Sequence, residues 1–182
     1  MLRSLLLAAL AVVLALPASA QLSGTYTVGG ALPNYSTISA AVADLNALGT
    51  SGPVTFQIRP GTYDEQVTIS SFPRLGAADD MVTFTRSAPL AASPVWRASG
   101  VGSSTNWVVR LNGADYVSFA GITFEAVGAT YGRLVTFENE ATHNTLSNCT
   151  FTGITGASAD TGSLLWADNT ANDDNTVTEP CL

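Results

Sequence analysis

Arg110 and Glu138 are the two side chains of this sequence whose types and positions could bind a charged group. Each lies in a short stretch where apolar and polar residues alternate, so both should point outward from a β-strand. The two stretches are one repeat unit apart, and stacking of the units would place the guanidinium beside the carboxylate. This pair is our candidate binding site, and an ordinary ion pair on a solvated surface is the alternative.

The other polar residues predict no catalytic residue, metal ligand or cofactor site. His143 is the only histidine, and no Ser-His-Asp or metal-binding pattern can be built around it. The carboxylates of Asp168, Asp173 and Asp174 could bind calcium through their oxygen atoms. Their spacing matches no calcium loop, however, and Asp and Asn favour tight turns, so a solvated turn is the alternative.

Three tryptophans could stack against sugar rings if they face outward. Trp166 falls at an inward position of the repeat described next, which predicts packing in the core. Trp96 and Trp107 flank loops, and the sequence leaves their exposure open.

A repeat of short β-stretches would position these side chains. An apolar pair separated by one residue recurs at intervals of 28, 27 and 26 residues, beginning at Val54, Val82, Val109 and Val135, with a fifth copy at Leu164 and Trp166. A second series runs through Val67, Val95, Ile122 and Cys149. A motif with apolar residues at the first, fourth and sixth positions occurs as Phe119, Ile122 and Phe124, and again as Leu146, Cys149 and Phe151.

This repeat predicts an all-β, right-handed parallel β-helix, that is, a solenoid of about five turns over residues 53–182. A unit of about 27 residues cannot bury its own apolar face, whereas stacked units can bury a continuous core. The right-handed sense is the default for parallel connections. A β-sandwich of short strands is the alternative.

One helix is predicted before the first turn. Ser36 or Thr37 can cap its start, and Gly49 can end it. Apolar residues recur at spacings of three and four, and they form one face of the helix: Ile38, Ala41, Val42, Leu45 and Leu48. Together with a lead-in strand, this amphipathic helix makes residues 21–52 a cap over the open end of the core. The C-terminal end is predicted to be uncapped, because the sequence stops within a repeat unit, and further turns or a sorting domain are expected beyond it.

Residues 1–20 are predicted to be a signal peptide. Arg3 supplies a positive charge, residues 5–16 form an apolar run, and small residues end at Ala20. The run is shorter than the ~20 residues that a membrane span requires, and a membrane anchor is the alternative. Cleavage near Ala20 predicts a protein that is secreted or held at the cell surface.

Composition excludes one class of partner. The chain has no Lys, and without the leader six Arg residues face 14 Asp and Glu residues. An acidic surface repels phosphate backbones, so we expect no nucleic-acid binding. In an exported protein Cys149 and Cys181 could form a disulfide, and the alternative is that each is a small buried residue.

The stretch around the helix and the first strands resembles a known superfamily. The shared residues are Tyr35, Thr37, Ile38, Ala41 and Val42, then the strand 54–58, then Pro60, Gly61, Tyr63, Glu65 and Val67. They resemble the start of right-handed parallel β-helix proteins of the pectin-lyase-like superfamily, above all the pectinesterases, and large secreted bacterial β-helix proteins. The resemblance implies the fold and an extracellular role, and it does not by itself imply an activity.

Pectinesterases typically follow a Cys-x-Phe-x-Gly motif with a catalytic Gln and Asp. This chain has the motif at residues 149–153, but Thr155 and Gly156 stand where the Gln and Asp would be. Neither residue can act as a carboxylate acid or base. Solenoid enzymes that cut acidic sugars place Arg and carboxylates on adjacent turns, and Arg110 and Glu138 resemble such a pair.

We therefore expect a secreted structural, adhesive or glycan-binding scaffold that is not catalytic by itself, with an extracellular polysaccharide as its partner. The alternative is the N-terminal part of a polysaccharide lyase or pectinesterase-like enzyme whose catalytic residues lie beyond Leu182.

Overall fold

The computed structural model describes residues 20–87, 92–100, 102–154, 162–168 and 174–178. They form a parallel β-solenoid in which the strands of successive turns pair within three parallel sheets. This confirms the predicted all-β parallel β-helix of about five turns with one helix near the N-terminus. Residues 1–19 of the predicted leader are not among the described residues, nor are Asp173, Cys181 and the predicted open end at residues 179–182.

Each turn contributes strands to the three sheets, which we name A, B and C. Sheet A contains, in order, β1 (Leu22–Val28), β2 (Thr50–Ile58), β5 (Val82–Arg86), β8 (Val117–Ala120), β11 (Thr145–Ser147) and β14 (Thr176–Thr178). Sheet B contains β3 (Thr62–Asp64), β6 (Val95–Ala98), β9 (Thr123–Ala126) and β12 (Thr150–Thr152). Sheet C contains β4 (Val67–Ser70), β7 (Val109–Asn112), β10 (Val135–Glu138) and β13 (Leu165–Ala167).

Like side chains stack on like side chains inside the solenoid. Phe56 and Phe84 stack with ring centroids 4.8 Å apart, and Phe84 stacks on Phe119 at 5.5 Å. Phe124 stacks on Phe151 at 5.8 Å in the neighbouring sheet. Parallel, in-register pairing produces these columns, since it places the same position of each turn above the one before.

The α-helix near the N-terminus, α1 (Ile38–Leu48), begins and ends where the sequence predicted. The Thr37 side chain accepts a hydrogen bond from the backbone N–H of Ala40, and Gly49 ends the helix with a φ of 69°. The side-chain amide of Asn46 lies against β4, the edge strand of sheet C: it donates to the carbonyl of Thr68 and accepts from the N–H of Ser70, both at 3.0 Å. It thereby satisfies two backbone groups that an open edge would expose to water.

The Pro60–Val67 segment, which carries much of the family resemblance, joins α1 to the first turn. The Tyr63 hydroxyl donates to the carbonyl of Arg59 at 2.9 Å and lies close to Gly29, where an added Cβ would stand 2.1 Å from the hydroxyl oxygen. The Glu65 carboxylate accepts hydrogen bonds from the backbone N–H groups of Ile38 and Ser39 at the N-terminus of α1. The segment is therefore explained by packing and helix capping.

The predicted strand register was partly wrong. Val54 pairs with Val82 in sheet A, whereas Val109 pairs with Val135 in sheet C, so the first predicted series combined two sheets. Val67, placed in the second series, pairs directly with Val109. Each turn carries three strands in which apolar and polar residues alternate in the same way. Because the connections between these strands differ in length, a constant sequence interval linked strands that belong to different sheets.

The other predicted motif was correct within the described residues. Phe119 pairs with Leu146, Phe124 pairs with Phe151, and Val177 extends the first of these rows by pairing with Leu146.

Candidate functional site

Arg110 and Glu138 lie on neighbouring turns of sheet C, on its outer face. Arg110 pairs in register with Thr136 of β10, and Glu138 pairs with Asn112 of β7. The Arg110 Nη1 atom is 3.7 Å from Glu138 Oε2, and the two side chains are 27% and 22% exposed. The structure therefore brings together the two residues singled out from the sequence, and their role in binding stays a prediction.

Two arginine–tryptophan stacks flank this ion pair. The Arg110 guanidinium carbon is 4.0 Å from the ring centroid of Trp107, and that of Arg133 is 4.2 Å from the ring centroid of Trp166. Distances of this size are typical of cation–π stacking. We call the outer surface formed by these side chains the Arg–Trp patch; it comprises Trp107, Arg110, Arg133, Thr136, Glu138 and Trp166.

Trp166 was predicted to point into the core, and this was wrong. Its neighbour in the pairing is Thr136, which belongs to the outward row, so the last strand is displaced by one residue from the predicted register. Trp96, by contrast, is fully buried in the core, and its Nε1 atom donates to the carbonyl of Glu65 at 2.9 Å. Of the three tryptophans, Trp107 and Trp166 are therefore the ones available to the outer face.

Hydrogen bonds from neighbouring turns hold the backbone of the Arg–Trp patch in place. The Gln66 side-chain amide donates to the carbonyls of Thr105 and Trp107, each at 2.8 Å. The buried side chain of Asn106 accepts a hydrogen bond from the N–H of Arg133 at 3.0 Å. The loop before β7 and the loop before β10 are thus fixed, which sets the positions of Trp107 and Arg133.

The buried polar atoms of the Arg–Trp patch that have no hydrogen-bond partner among the described residues include Arg110 Nε, Trp107 Nε1 and Thr136 Oγ1. Buried polar groups in folded proteins are nearly always satisfied, so a local group of unsatisfied ones needs an explanation. Two of these atoms belong to obligatory donors, and the hydroxyl can also donate, so each of them could donate a hydrogen bond to a bound acceptor.

A second charged row lies on the outer face of sheet B, and the sequence analysis missed it. Asp64, Arg97 and Glu125 are paired in register on three successive turns. Arg97 Nε is 2.5 Å from Asp64 Oδ1, and Arg97 Nη1 is 3.8 Å from Glu125 Oε2. The hydrogen bond with Asp64 raises the pKa of Arg97. Alignment of β3 with β6 and β9 would have revealed this row, but the predicted intervals placed these strands in different registers.

The helix end next to this row is already occupied. An open pocket of about 600 Å³ is lined by Ser39, Thr62, Asp64 and Glu65, among others. Within it the Glu65 carboxylate accepts from the Ser39 N–H at 2.6 Å and from the Ser39 hydroxyl at 2.5 Å. The N-terminus of α1 is a natural anion site, and the protein fills it with its own carboxylate.

The residues considered for calcium have different partners. Asp168 Oδ2 accepts from the N–H of Asn139 at 3.2 Å, whereas Asp174 Oδ2 is 3.5 Å from His143 Nε2. His143 stacks on Tyr116 with ring centroids 4.6 Å apart. Among the described residues, which exclude Asp173, no group of three or more His, Cys, Asp or Glu side chains could hold a metal ion.

Cys149 is buried in the core, where its Sγ atom lies 3.6 Å from the carbonyl oxygen of Phe119.

No helix of the described part of the chain is long and apolar enough to cross a membrane. No protein-family model matches the chain, and no curated protein matches it in sequence.

Proposed function

We propose that this chain is part of a secreted, non-catalytic scaffold that binds a glycan through the Arg–Trp patch. The observation that carries the proposal is the placement of Trp107 and Trp166, each covered by an arginine, on one outer face of sheet C. Indole rings offer flat apolar surfaces to the faces of sugar rings, and guanidinium and carboxylate groups can hydrogen-bond sugar oxygens.

Export and family membership belong to the same proposal. The leader-like residues 1–20 support secretion, and the stretch from Tyr35 to Val67, together with the parallel solenoid, supports a place in the pectin-lyase-like superfamily. An extracellular polysaccharide is the partner that agrees with both features.

Affinity electrophoresis of the full chain in gels containing pectin, polygalacturonate, xylan or galactan tests this function. We expect retardation in at least one gel, and weaker retardation for Trp166→Ala, which removes one stacking surface. Leu32→Ala, a change of a fully exposed apolar residue in the segment between β1 and α1, is the matched control. Equal migration with and without every polysaccharide would refute glycan binding.

A catalytic role is the second candidate, and the Asp64–Arg97–Glu125 row favours it. Carboxylates beside an arginine on consecutive turns can supply an acid or base and bind an acidic sugar. The sequence alternative, the N-terminal part of a polysaccharide lyase or pectinesterase-like enzyme, has its catalytic residues beyond Leu182, whereas this row would place catalysis within the chain itself. Measurable release of methanol from methylated pectin or of unsaturated products from polygalacturonate, abolished by Glu125→Gln, would replace the scaffold proposal with this one.

A further inference from the structure

The outer face of sheet A carries an ordered array of hydroxyl groups that the proposed glycan-binding function does not use. One row crosses the six described strands, and its members pair in register from turn to turn: Thr25, Thr55, Thr83, Ser118, Thr145 and Thr176. A second row lies two residues further along each strand: Thr27, Gln57, Thr85, Ala120, Ser147 and Thr178. We propose that these two rows form a face that binds ice.

The two rows contain no charged side chain, and in this they differ from the other two sheets. The outward positions of sheet C include Arg110 and Glu138, and those of sheet B include Asp64, Arg97 and Glu125. The preference of threonine for β-strands applies to all three sheets alike, so it does not explain why charges are kept off one of them. The difference indicates that the outer face of sheet A has a role of its own, for which charge is unsuitable.

The hydroxyl groups of the first row are available to solvent. The six side chains are exposed or half-buried. None of their hydroxyl groups has a hydrogen-bond partner among the described residues of the chain. In the second row, by contrast, the Thr27 hydroxyl donates to the side-chain oxygen of Asn34 at 3.0 Å. The first row therefore offers each turn's hydroxyl to water as both donor and acceptor.

The array has two repeat distances. Neighbouring strands of a sheet are ~4.8 Å apart, and two successive residues on one face of a strand are separated by two steps of ~3.3 Å. Regular stacking holds the inner side of the same strands, where the Phe56 and Phe84 rings are 4.8 Å apart. Oxygen atoms on the prism face of ice recur at two spacings similar to these. Water molecules bound to the hydroxyl groups can therefore join both the protein and the crystal lattice.

Threonine suits such a face because its side chain is stiff. The branched Cβ restricts χ1, so the methyl and the hydroxyl group stay in one position relative to the strand. A long charged side chain would sample several rotamers and would hold its own hydration shell. A nucleic acid or a charged protein would require charges that the two rows lack. The chemistry of the face therefore matches an uncharged, periodic surface, and ice is such a surface.

Slow freezing of a solution of the full chain onto a cold finger tests the proposal. We expect the protein to be enriched in the ice relative to the remaining liquid, and to show thermal hysteresis in nanolitre osmometry. Thr83→Tyr places a large ring in the middle of the first row, between Thr55 and Ser118, and should remove most of the enrichment and the hysteresis. Tyrosine is favoured in strands, so the fold should be kept, and circular dichroism checks this.

Two further variants separate the face from the fold. Thr123→Tyr makes the same change on the outer face of sheet B, where Thr123 pairs with Val95 and Thr150, and should behave like the wild type. Ala120→Thr supplies the hydroxyl that β8 lacks in the second row, between Thr85 and Ser147. It should increase the thermal hysteresis, and a gain of this kind cannot result from unfolding.

Each contrary result has a definite meaning. Exclusion of the wild type from ice without thermal hysteresis would overturn the proposal. Equal enrichment of Thr83→Tyr and Thr123→Tyr would overturn the assignment to sheet A. If the wild type is excluded from ice and forms a dimer in sedimentation velocity that Thr83→Tyr abolishes, the face binds a second copy of the chain instead. None of these results bears on glycan binding, because the Arg–Trp patch lies on sheet C and is tested separately in the polysaccharide gels.

Discussion

Glu65 provides the sharpest test of how the helix is joined to the solenoid, through the substitution Glu65→Gln. One carboxylate oxygen accepts from the Ile38 N–H at 3.1 Å, and the other accepts from the Ser39 N–H at 2.6 Å and from the Ser39 hydroxyl. Glutamine keeps one acceptor and replaces the other with an NH₂ group, which would face the N–H of Ser39. The substitution therefore removes charge-assisted bonds and a negative charge at the positive end of α1.

The expected cost follows from those contacts. Hydrogen bonds to a charged group contribute about 1.5–3 kcal/mol, and a charge at a helix end about 0.3–1 kcal/mol. Because the Ser39 contacts are exposed to solvent, we expect the lower part of the combined range, about 2 kcal/mol. In a domain of this size, that corresponds to a fall in Tm of about 4–8 °C.

Guanidinium unfolding followed by circular dichroism measures the loss, and hydrogen exchange locates it. The amides of Ile38 and Ser39 should exchange faster in Glu65→Gln, while amides of β8 and β9 should lose less protection. Glu140→Gln, a change of an exposed glutamate outside the helix and its cap, is the control. The capping argument is refuted if both variants unfold at the same denaturant concentration and α1 stays as protected as in the wild type.

Three other substitutions or titrations test separate features. Asn144→Ala should lower the free energy of unfolding by about 2–4 kcal/mol in urea titrations. The reason is that this fully buried amide accepts a hydrogen bond from one backbone N–H and donates one to a backbone carbonyl of the preceding turn. A loss below ~0.5 kcal/mol, the size expected for an ordinary surface change, would contradict this. Gly29→Ala should strongly lower the free energy of unfolding, since the φ of Gly29 is 71° and the new Cβ would stand 2.1 Å from the Tyr63 hydroxyl. Tyr63→Phe in the same chain should recover part of this loss. If the effects of the two substitutions on the free energy of unfolding simply add, the explanation is wrong. Burial, and next its hydrogen bond to Asp44, raises the pKa of Tyr35 to about 12. The unfolded chain ionises near the ordinary value of 10.0, so folding stability should fall as the pH rises from there toward 12. In ultraviolet titration, Asp44→Asn should bring the late-titrating tyrosine closer to 10.0, and an unchanged curve would show that the assigned partner is wrong.

Local signals in the sequence predicted α1 well. The cap at Thr37, the apolar spacing and the ending at Gly49 all lie within the helix itself or next to it, and the structure reproduces each of them. The stacked motif at Phe119 and Phe124 was also correct, because about two residues separate β8 from β9, and the same number separates β11 from β12.

The register of the whole solenoid depends on connections whose length the sequence does not explain. The connection between β6 and β7 is longer than that between β3 and β4 and contains a short 3-10 helix at Ser103–Thr105. A constant interval along the sequence therefore leads from a strand of sheet A to a strand of sheet C. The Asp64–Arg97–Glu125 row was missed for a related reason: Asp64 and Arg97 pair in register but stand 33 positions apart, so an interval near 27 does not link them.

The candidate site could be predicted only in part. Arg110 and Glu138 lie on two strands, β7 and β10, that happen to be separated by a regular interval, so their approach was visible from the sequence. Arg133 precedes its strand and was not considered, and Trp166 was assigned to the wrong face because β13 is displaced by one residue. Stacking of arginine on tryptophan depends on side-chain rotation, which alternation along a strand cannot predict.

The Glu65 contacts also set an order of assembly. The helix N-terminus at Ile38 is satisfied by a residue that follows it by 27 positions, after the whole of β2 and β3. The carbonyl of that same Glu65 in turn accepts from Trp96, which arrives one turn later. During synthesis from the N-terminus, α1 therefore cannot complete its contacts before the first turn has closed. The first turn in turn cannot complete its contacts before the second turn has begun. α1 precedes the first turn in the sequence, but its contacts are completed only when later segments have folded.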